Sequence, residues 1–98
     1  MTPEGRVKAV VRKHLDYCGC WYFMPPANGF GRAGIPDFIA SIGGMLVAIE
    51  TKAVGGKTTA LQRREIDKIN ASGAVALVIT GEDEAHDLLN QLKERGLL

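Results

Sequence analysis

The sequence has few of the residues that build disulfide frameworks or structural zinc sites. Its 98 residues include two cysteines and two histidines, whereas a structural zinc site takes four ligands, usually in paired clusters. Cys18 and Cys20 are separated by a single glycine, so a disulfide between them would be badly strained. We therefore expect two reduced thiols and neither a disulfide nor a zinc site.

Long apolar runs and a strong net charge are absent as well. No run approaches the roughly 20 apolar residues that a membrane span needs. Residues 1–14 have a charged helical pattern without the apolar core of a signal peptide. We therefore expect an intracellular protein with no membrane partner. The formal net charge is +1, which by itself gives no support to a nucleic-acid partner.

What the sequence does contain is enough apolar residues, 46% of the chain, for one domain spanning residues 1–98. Periodicity, capping residues and glycines divide it into seven predicted elements. These are a helix from Pro3 to about Asp16, strands 21–24, 35–42 and 45–52, a helix to about Ala71, strand 74–80 and a helix 82–95. This order predicts an α/β fold with a mixed four-stranded sheet and helices on both faces.

Two carboxylates are placed opposite each other on the predicted hairpin. If Gly43-Gly44 forms a two-residue turn, the register pairs Asp37 with Glu50. Directly opposed carboxylates would repel by roughly 3 kcal/mol at an effective dielectric constant near 20. Either a divalent cation compensates them, or Lys52 reaches both acids while Asp37 caps the end of a strand.

Two further polar residues lie on apolar helix faces. Glu4 shares the stripe of Val7 and Val11 on the first helix, and Gln62 lies four residues before Ile66 on the buried stripe of the next. Each has an ordinary structural explanation, since Glu4 favours the positive end of a helix dipole and Gln62 can complete a capping box with Thr59. With Asp37 and Glu50, they make four polar side chains that turn towards one hairpin.

These residues resemble the signature of the PD-(D/E)XK nucleases. The matching segments are Gly34–Asp37 and, after twelve intervening residues, Glu50–Lys52. An acid early in the first helix (Glu4), an Asn-Gly loop beginning at Asn28 and a trailing Gln62 are similar to the VRR-NUC branch, the virus-type replication-repair nucleases. The resemblance covers about residues 2–80 and implies a restriction-endonuclease-like αβββαβ core with an extra C-terminal helix.

The resemblance implies a Mg²⁺- or Mn²⁺-dependent deoxyribonuclease. Asp37, Glu50 and the backbone carbonyl of Thr51 would bind the metal, with Glu4 joining directly or through water. Lys52 would orient or deprotonate the attacking water or neutralise developing charge, and these roles stay open. Gln62 would hold Lys52 or a metal-bound water.

The resemblance also implies a substrate and a partner. Stand-alone domains of this branch, in phages and bacteria, are similar in role to Holliday-junction resolvases, so we expect branched DNA as substrate, a homodimer, and a cytoplasmic location in a bacterial or phage-infected cell. The alternatives are a nuclease with another substrate preference (single-stranded, flap or restriction-type) and a non-catalytic DNA-binding or assembly module.

Charge is spread unevenly in a way that suits DNA. Residues 1–68 carry a net charge of +4 and residues 69–98 a net charge of −3, and three acids of the first segment are candidate site residues. Candidate phosphate contacts flank the site in sequence: Arg32, Lys57, Arg63 and Arg64. The aromatic and Met side chains of Trp21, Tyr22, Phe23, Met24 and Phe30 are candidates for an interface or for base stacking. The alternative is that most of them are ordinary core, which is what we expect for Trp21–Phe23.

Overall fold

A computed structural model of the chain describes residues 1–26 and 32–98. The first helix, α1, spans Pro3–Cys18. The predicted N-cap is confirmed, since the Thr2 hydroxyl accepts a hydrogen bond of 3.0 Å from the Gly5 N–H. Gly19 ends the helix in the left-handed conformation. Asn28 and Phe30, two residues singled out from the sequence, lie outside the described residues.

Four strands form one mixed sheet in the order β1-β2-β3-β4. They are β1 (Trp21–Phe23), β2 (Phe38–Ile42), β3 (Met45–Lys52) and β4 (Val75–Thr80). The first three run antiparallel as a meander, and β4 is parallel to β3. The parallel connection passes through helix α2, Ala60–Ala71, as a crossover requires. The predicted α/β fold with a mixed four-stranded sheet is confirmed.

The predicted register of the hairpin is also confirmed. Ile42 pairs with Met45, and the ladder continues to Phe38 opposite Ile49. Gly43 and Gly44 have φ values of 59° and 79°, the left-handed backbone that a tight hairpin turn demands. The local glycine pair therefore aligns every residue along the two strands, including those at the far end, where Asp37 and Glu50 lie.

The predicted final helix is divided into two short helices. They are α3 (Gly81–His86) and α4 (Leu88–Glu94), separated at Asp87. The Asp87 carboxylate accepts a hydrogen bond from the Asn90 amide, the kind of local bond that makes aspartate unfavourable inside a helix. In the described parts of the chain, no helix is long and apolar enough to cross a membrane.

Apolar side chains pack on both faces of the sheet, in very unequal amounts. The face that meets α1, α3 and α4 has a continuous core, which includes Val7, Val11, Leu15, Phe38, Ala40, Ile42, Val47, Ile49, Ile79, Leu88 and Leu92. The face that meets α2 buries Ala48, Ile66 and Ala76, with Ile39, Ile69 and Val78 partly buried around them.

The expectation that Trp21–Phe23 is ordinary core is wrong for two of the three residues. Tyr22 is partly buried and packs against the large core, but Trp21 is 64% exposed and Phe23 45% exposed. The reason is topological: β1 is an edge strand, and α2 packs over β4 at the other side of the sheet. Trp21 and Phe23 therefore point to the face of the sheet that α2 covers, in the part of that face that α2 leaves open.

Candidate active site

The candidate catalytic residues come together at one end of the sheet. Asp37 directly precedes β2, and Glu50, Thr51 and Lys52 are the last residues of β3. Because these strands are antiparallel, the start of one and the end of the other lie side by side. The first turn of α1 brings Glu4 to this end as well.

Asp37 is held by the opposite strand rather than by a ladder pair. Its Oδ2 accepts hydrogen bonds from the Thr51 backbone N–H, at 3.0 Å, and from the Thr51 hydroxyl. Its Oδ1 lies 3.6 Å from the ammonium group of Lys8. One oxygen is therefore fixed by β3 and the other faces the Lys8 ammonium of α1, so these two elements together set the orientation of the carboxylate.

Glu50 is a buried carboxylate with one satisfied oxygen. Its side chain is 3% exposed and its Oε2 lies 3.4 Å from the Lys52 ammonium, while the Gln62 amide donates to the same oxygen at 3.0 Å. Oε1 is buried without a hydrogen-bond partner among the described residues. Burial, reinforced by the Asp37 charge and opposed by Lys52, raises the pKa of Glu50 to about 7.

Lys8 and Lys52 separate the three carboxylates in an alternating chain of charges. Lys52 lies 3.9 Å from Glu4 as well as beside Glu50, and Lys8 lies 3.9 Å from Glu4 and 3.6 Å from Asp37. One alternative from the sequence was that Lys52 reaches both hairpin acids. In the structure Lys52 lies beside Glu50, and Lys8 is the partner of Asp37. Lys8 was missed from the sequence, although its position four residues after Glu4 places it on the same helix face.

Gln62 connects the start of α2 to the buried carboxylate. Its side-chain Oε1 accepts a hydrogen bond from the Thr59 backbone N–H at 2.9 Å, and its backbone N–H donates to the Thr59 hydroxyl at 3.1 Å. The predicted capping box is therefore present. The other end of its amide binds Glu50, not Lys52. Gly34 lies against the start of this helix, where a side-chain carbon would be 2.5 Å from the Leu61 backbone.

The donors at this end of the sheet suit a hard cation. Asp37, Glu50 and the Thr51 carbonyl would supply only oxygen, the donor that Mg²⁺ and Mn²⁺ prefer. The unpartnered Oε1 of Glu50 is the atom that such an ion would satisfy. Across residues 1–26 and 32–98, no three acidic, cysteine or histidine side chains are grouped closely enough to hold an ion by themselves. Glu4 is linked to the pair through lysines.

Two of the four predicted phosphate-binding residues are engaged in ion pairs. Arg32 binds the buried Glu65 of α2, with nitrogen–oxygen distances of 2.7 and 2.9 Å. This pair ties the segment leading to Asp37 onto the helix, and Glu65 was not recognised from the sequence. Arg63 lies 3.7 Å from Asp67 on its own helix.

The other two predicted phosphate contacts, Lys57 and Arg64, are exposed. Lys57 follows the end of β3 and Arg64 lies in the second turn of α2. Neither forms an ion pair with any described residue. The role of these two residues in DNA binding stays a prediction.

Comparisons with solved structures agree with this fold. No family model and no curated protein matches the sequence. The mixed sheet, with the Gly34–Asp37 segment facing the end of a Glu-Thr-Lys strand, is similar to solved structures that imply a nuclease domain of the PD-(D/E)XK type. A solved structure described as a VRR-NUC domain is similar, with a TM-score of 0.75 and 25% identity over 96% of this chain and 97% of that chain.

A second solved structure, described as a VRR-NUC domain protein, is similar with a TM-score of 0.73 and 25% identity. That match covers 92% of this chain and 88% of the other. The chain thus has the fold of a VRR-NUC domain over nearly its whole length. The resemblance identified from its sequence is confirmed.

Proposed function

We propose that the domain hydrolyses phosphodiester bonds in DNA with the help of Mg²⁺ or Mn²⁺. The observation that carries the proposal is the buried Oε1 of Glu50, which has no partner among the described residues. It belongs to a carboxylate that shares one end of the sheet with Asp37. A buried carboxylate oxygen that accepts no hydrogen bond lowers the stability of a folded protein. A divalent cation bound to that oxygen would offset the loss.

Each residue of the site has a separate part in this proposal. Asp37 and Glu50 would hold the cation together with the Thr51 carbonyl. When bound, that cation polarises the scissile phosphate and lowers the pKa of an attacking water. Lys52, held 3.4 Å from Glu50, would orient the water or stabilise the negative charge that develops on the phosphate. Gln62 keeps the Glu50 carboxylate in place.

Cleavage of defined substrates tests the proposal. Labelled four-way junction, flap, single-stranded and linear duplex DNA would be incubated with Mg²⁺, with Mn²⁺ or with EDTA. We expect metal-dependent cutting, with the four-way junction preferred. Asp37→Ala should abolish it, and Glu94→Ala, an exposed acid on α4, should not.

The outcomes separate the parts of the proposal. Undiminished cutting by Asp37→Ala would refute the assignment of the site, and equal cutting of all four substrates would remove the preference for branched DNA. DNA binding without any cleavage would replace hydrolysis by a binding-module function.

We infer further that the domain acts as a homodimer. Symmetric incision of a four-way junction needs two sites related by a two-fold axis, which a second copy provides. The open part of the α2-side sheet face is a suitable place for that copy, because Trp21, Phe23 and Leu46 are 64%, 45% and 46% exposed there. Trp21 and Phe23 are on the edge strand β1, which leaves this patch accessible to a partner.

Light scattering tests this inference. We expect a dimer for the wild type and a monomer for the double variant Trp21→Ser/Phe23→Ser. Val54→Ser is the matched control, since Val54 is an apolar side chain that is 85% exposed elsewhere. A wild type that is monomeric at assay concentrations would contradict the account of paired incisions.

A further inference from the structure

A groove runs along the outer surface of α1, next to the candidate active site. Its volume is about 430 Å³, and it is lined by Gly5, Lys8, Ala9, Arg12, Lys13, Asp16 and Met24. The helical repeat explains the lining, because positions 5, 8, 9, 12, 13 and 16 share one side of a helix. The opposite side buries Val7, Val11 and Leu15.

Lys8 joins this groove to the active site. It lines the groove, and its ammonium group lies 3.6 Å from Asp37 Oδ1. The groove extends from Lys8 to Asp16, about 12 Å at 1.5 Å per residue. A chain of phosphates that reaches the site at Asp37 could therefore continue along α1 without leaving the protein surface.

The groove is positively charged, with three cations against one carboxylate. Arg12 and Lys13 are exposed and form no ion pair with the described residues. The carboxylate, Asp16, is occupied by a hydrogen bond from the Tyr22 hydroxyl. That bond raises the pKa of Tyr22, and the nearby Arg12 opposes the rise.

Small residues give the groove its depth. Ala9 lies between Lys8 and Arg12, and Gly5 precedes Lys8 on the same side of α1, so an elongated ligand can approach the helix at Ala9 between the two longer side chains. A phosphate backbone is such a ligand, and unpaired arginine and lysine side chains supply most of its binding free energy to proteins.

We propose that this groove binds the phosphodiester backbone of the DNA strand as it leaves the active site, with Arg12 and Lys13 as the phosphate contacts. The inference rests on the proposed nuclease function and adds a DNA path on α1 to the residues nominated around α2. Lys8 is the point at which the path enters the site.

The double variant Arg12→Ala/Lys13→Ala tests the path. Alanine favours the helix, and circular dichroism with thermal melting would confirm that the variant folds. DNA binding would be followed by fluorescence anisotropy in EDTA, on a labelled four-way junction, between 50 and 200 mM salt.

We expect the double variant to bind about tenfold more weakly. Loss of two phosphate contacts should make its affinity about twelvefold less sensitive to this change in salt, at a slope of about 0.9 per contact. With Mg²⁺ or Mn²⁺ present, KM should rise while kcat stays unchanged, because neither residue touches the reacting atoms.

Lys93→Ala/Arg95→Ala is the matched control. These residues are exposed at the end of α4, and the segment that follows lies against the hairpin turn, since a side-chain carbon on Gly43 would meet the Leu97 backbone oxygen at 2.7 Å. That turn is at the opposite end of the sheet from the site. This variant should bind as the wild type does.

The results distinguish failure of the path from failure of the proposed function. If the wild type binds and cuts, and Arg12→Ala/Lys13→Ala keeps both its affinity and its salt dependence, the path is refuted and the nuclease stands. If the wild type binds but never cuts, while the double variant binds more weakly, the path stands and hydrolysis is refuted. A wild type that binds no DNA refutes both.

Discussion

The two faces of the sheet have different compositions and different tasks. The α1 side buries a continuous apolar core built from three helices and the hairpin. The α2 side buries three small or medium side chains, a charged Glu65 and the carboxylate of Glu50, and leaves part of the sheet open. The apolar core on the α1 side therefore supplies the stability on which the polar α2 side, with its unpartnered carboxylate oxygen, depends.

The largest expected effect compares equivalent cavities on the two sides. Leu15 is 0% exposed on the α1 side and Ile66 is 2% exposed on the α2 side. We expect Leu15→Ala to lower the free energy of unfolding by about 3–5 kcal/mol and Ile66→Ala by about 2–3 kcal/mol, because α2 packs on the smaller core and can relax into the space left by Ile66.

Urea denaturation with an unchanged slope measures both values. Equal losses of unfolding free energy in the two variants, or a larger loss for Ile66→Ala, would contradict the difference between the large core on the α1 side and the small core on the α2 side.

The second effect concerns the buried carboxylate on the α2 side. Because the pKa of Glu50 is raised from 4.5 to about 7 on folding, the folded state binds this proton more tightly than the unfolded state. Its contribution to stability is therefore complete below about pH 4.5 and is lost as the pH rises to about 7. The neutral variant Glu50→Gln lacks this dependence.

In EDTA, the wild type should lose on the order of 3 kcal/mol relative to Glu50→Gln between pH 4.5 and pH 8, at about 1.4 kcal/mol per unit of pKa difference. Thermal or urea unfolding of both proteins at each pH measures the difference, which cancels the titration of other groups such as His14. Added Mn²⁺ should restore the stability of the wild type at pH 8 and leave the variant unchanged. Parallel pH profiles for the two proteins would contradict the raised pKa.

The smallest effect separates the two contacts of Gln62. Thr59→Ala removes the helix cap alone and should cost about 1 kcal/mol. Gln62→Ala removes its share of the cap and the hydrogen bond to Glu50, and should cost about 1–2 kcal/mol.

A second readout makes this comparison sharper. Calorimetric titration with Mn²⁺ should show about tenfold weaker binding for Gln62→Ala and unchanged binding for Thr59→Ala, since only the former disturbs Glu50. Equal Mn²⁺ affinities in the two variants would reduce Gln62 to a capping residue.

Features that depend on neighbouring residues were predictable from the sequence. Positive φ at Gly43-Gly44 set the hairpin register, and the Thr59–Gln62 spacing predicted the capping box. The register in turn predicted that Asp37 and Glu50 meet at one end of the sheet. The division at Asp87 was missed, because the apolar spacing of Ala85, Leu88 and Leu92 is that of an uninterrupted helix.

The order of the strands and helices through β4, the alignment of the hairpin and the meeting of Asp37 and Glu50 at one end of the sheet therefore follow from the sequence alone, because each depends on spacing along one segment. Only the tertiary structure decided which cation faces which carboxylate, with Lys8 beside Asp37 and Arg32 bound to Glu65 instead of free. It also decided that Trp21 and Phe23 are exposed. These outcomes depend on how helices cover the sheet, and contacts between segments distant in sequence leave no periodic signal in either segment.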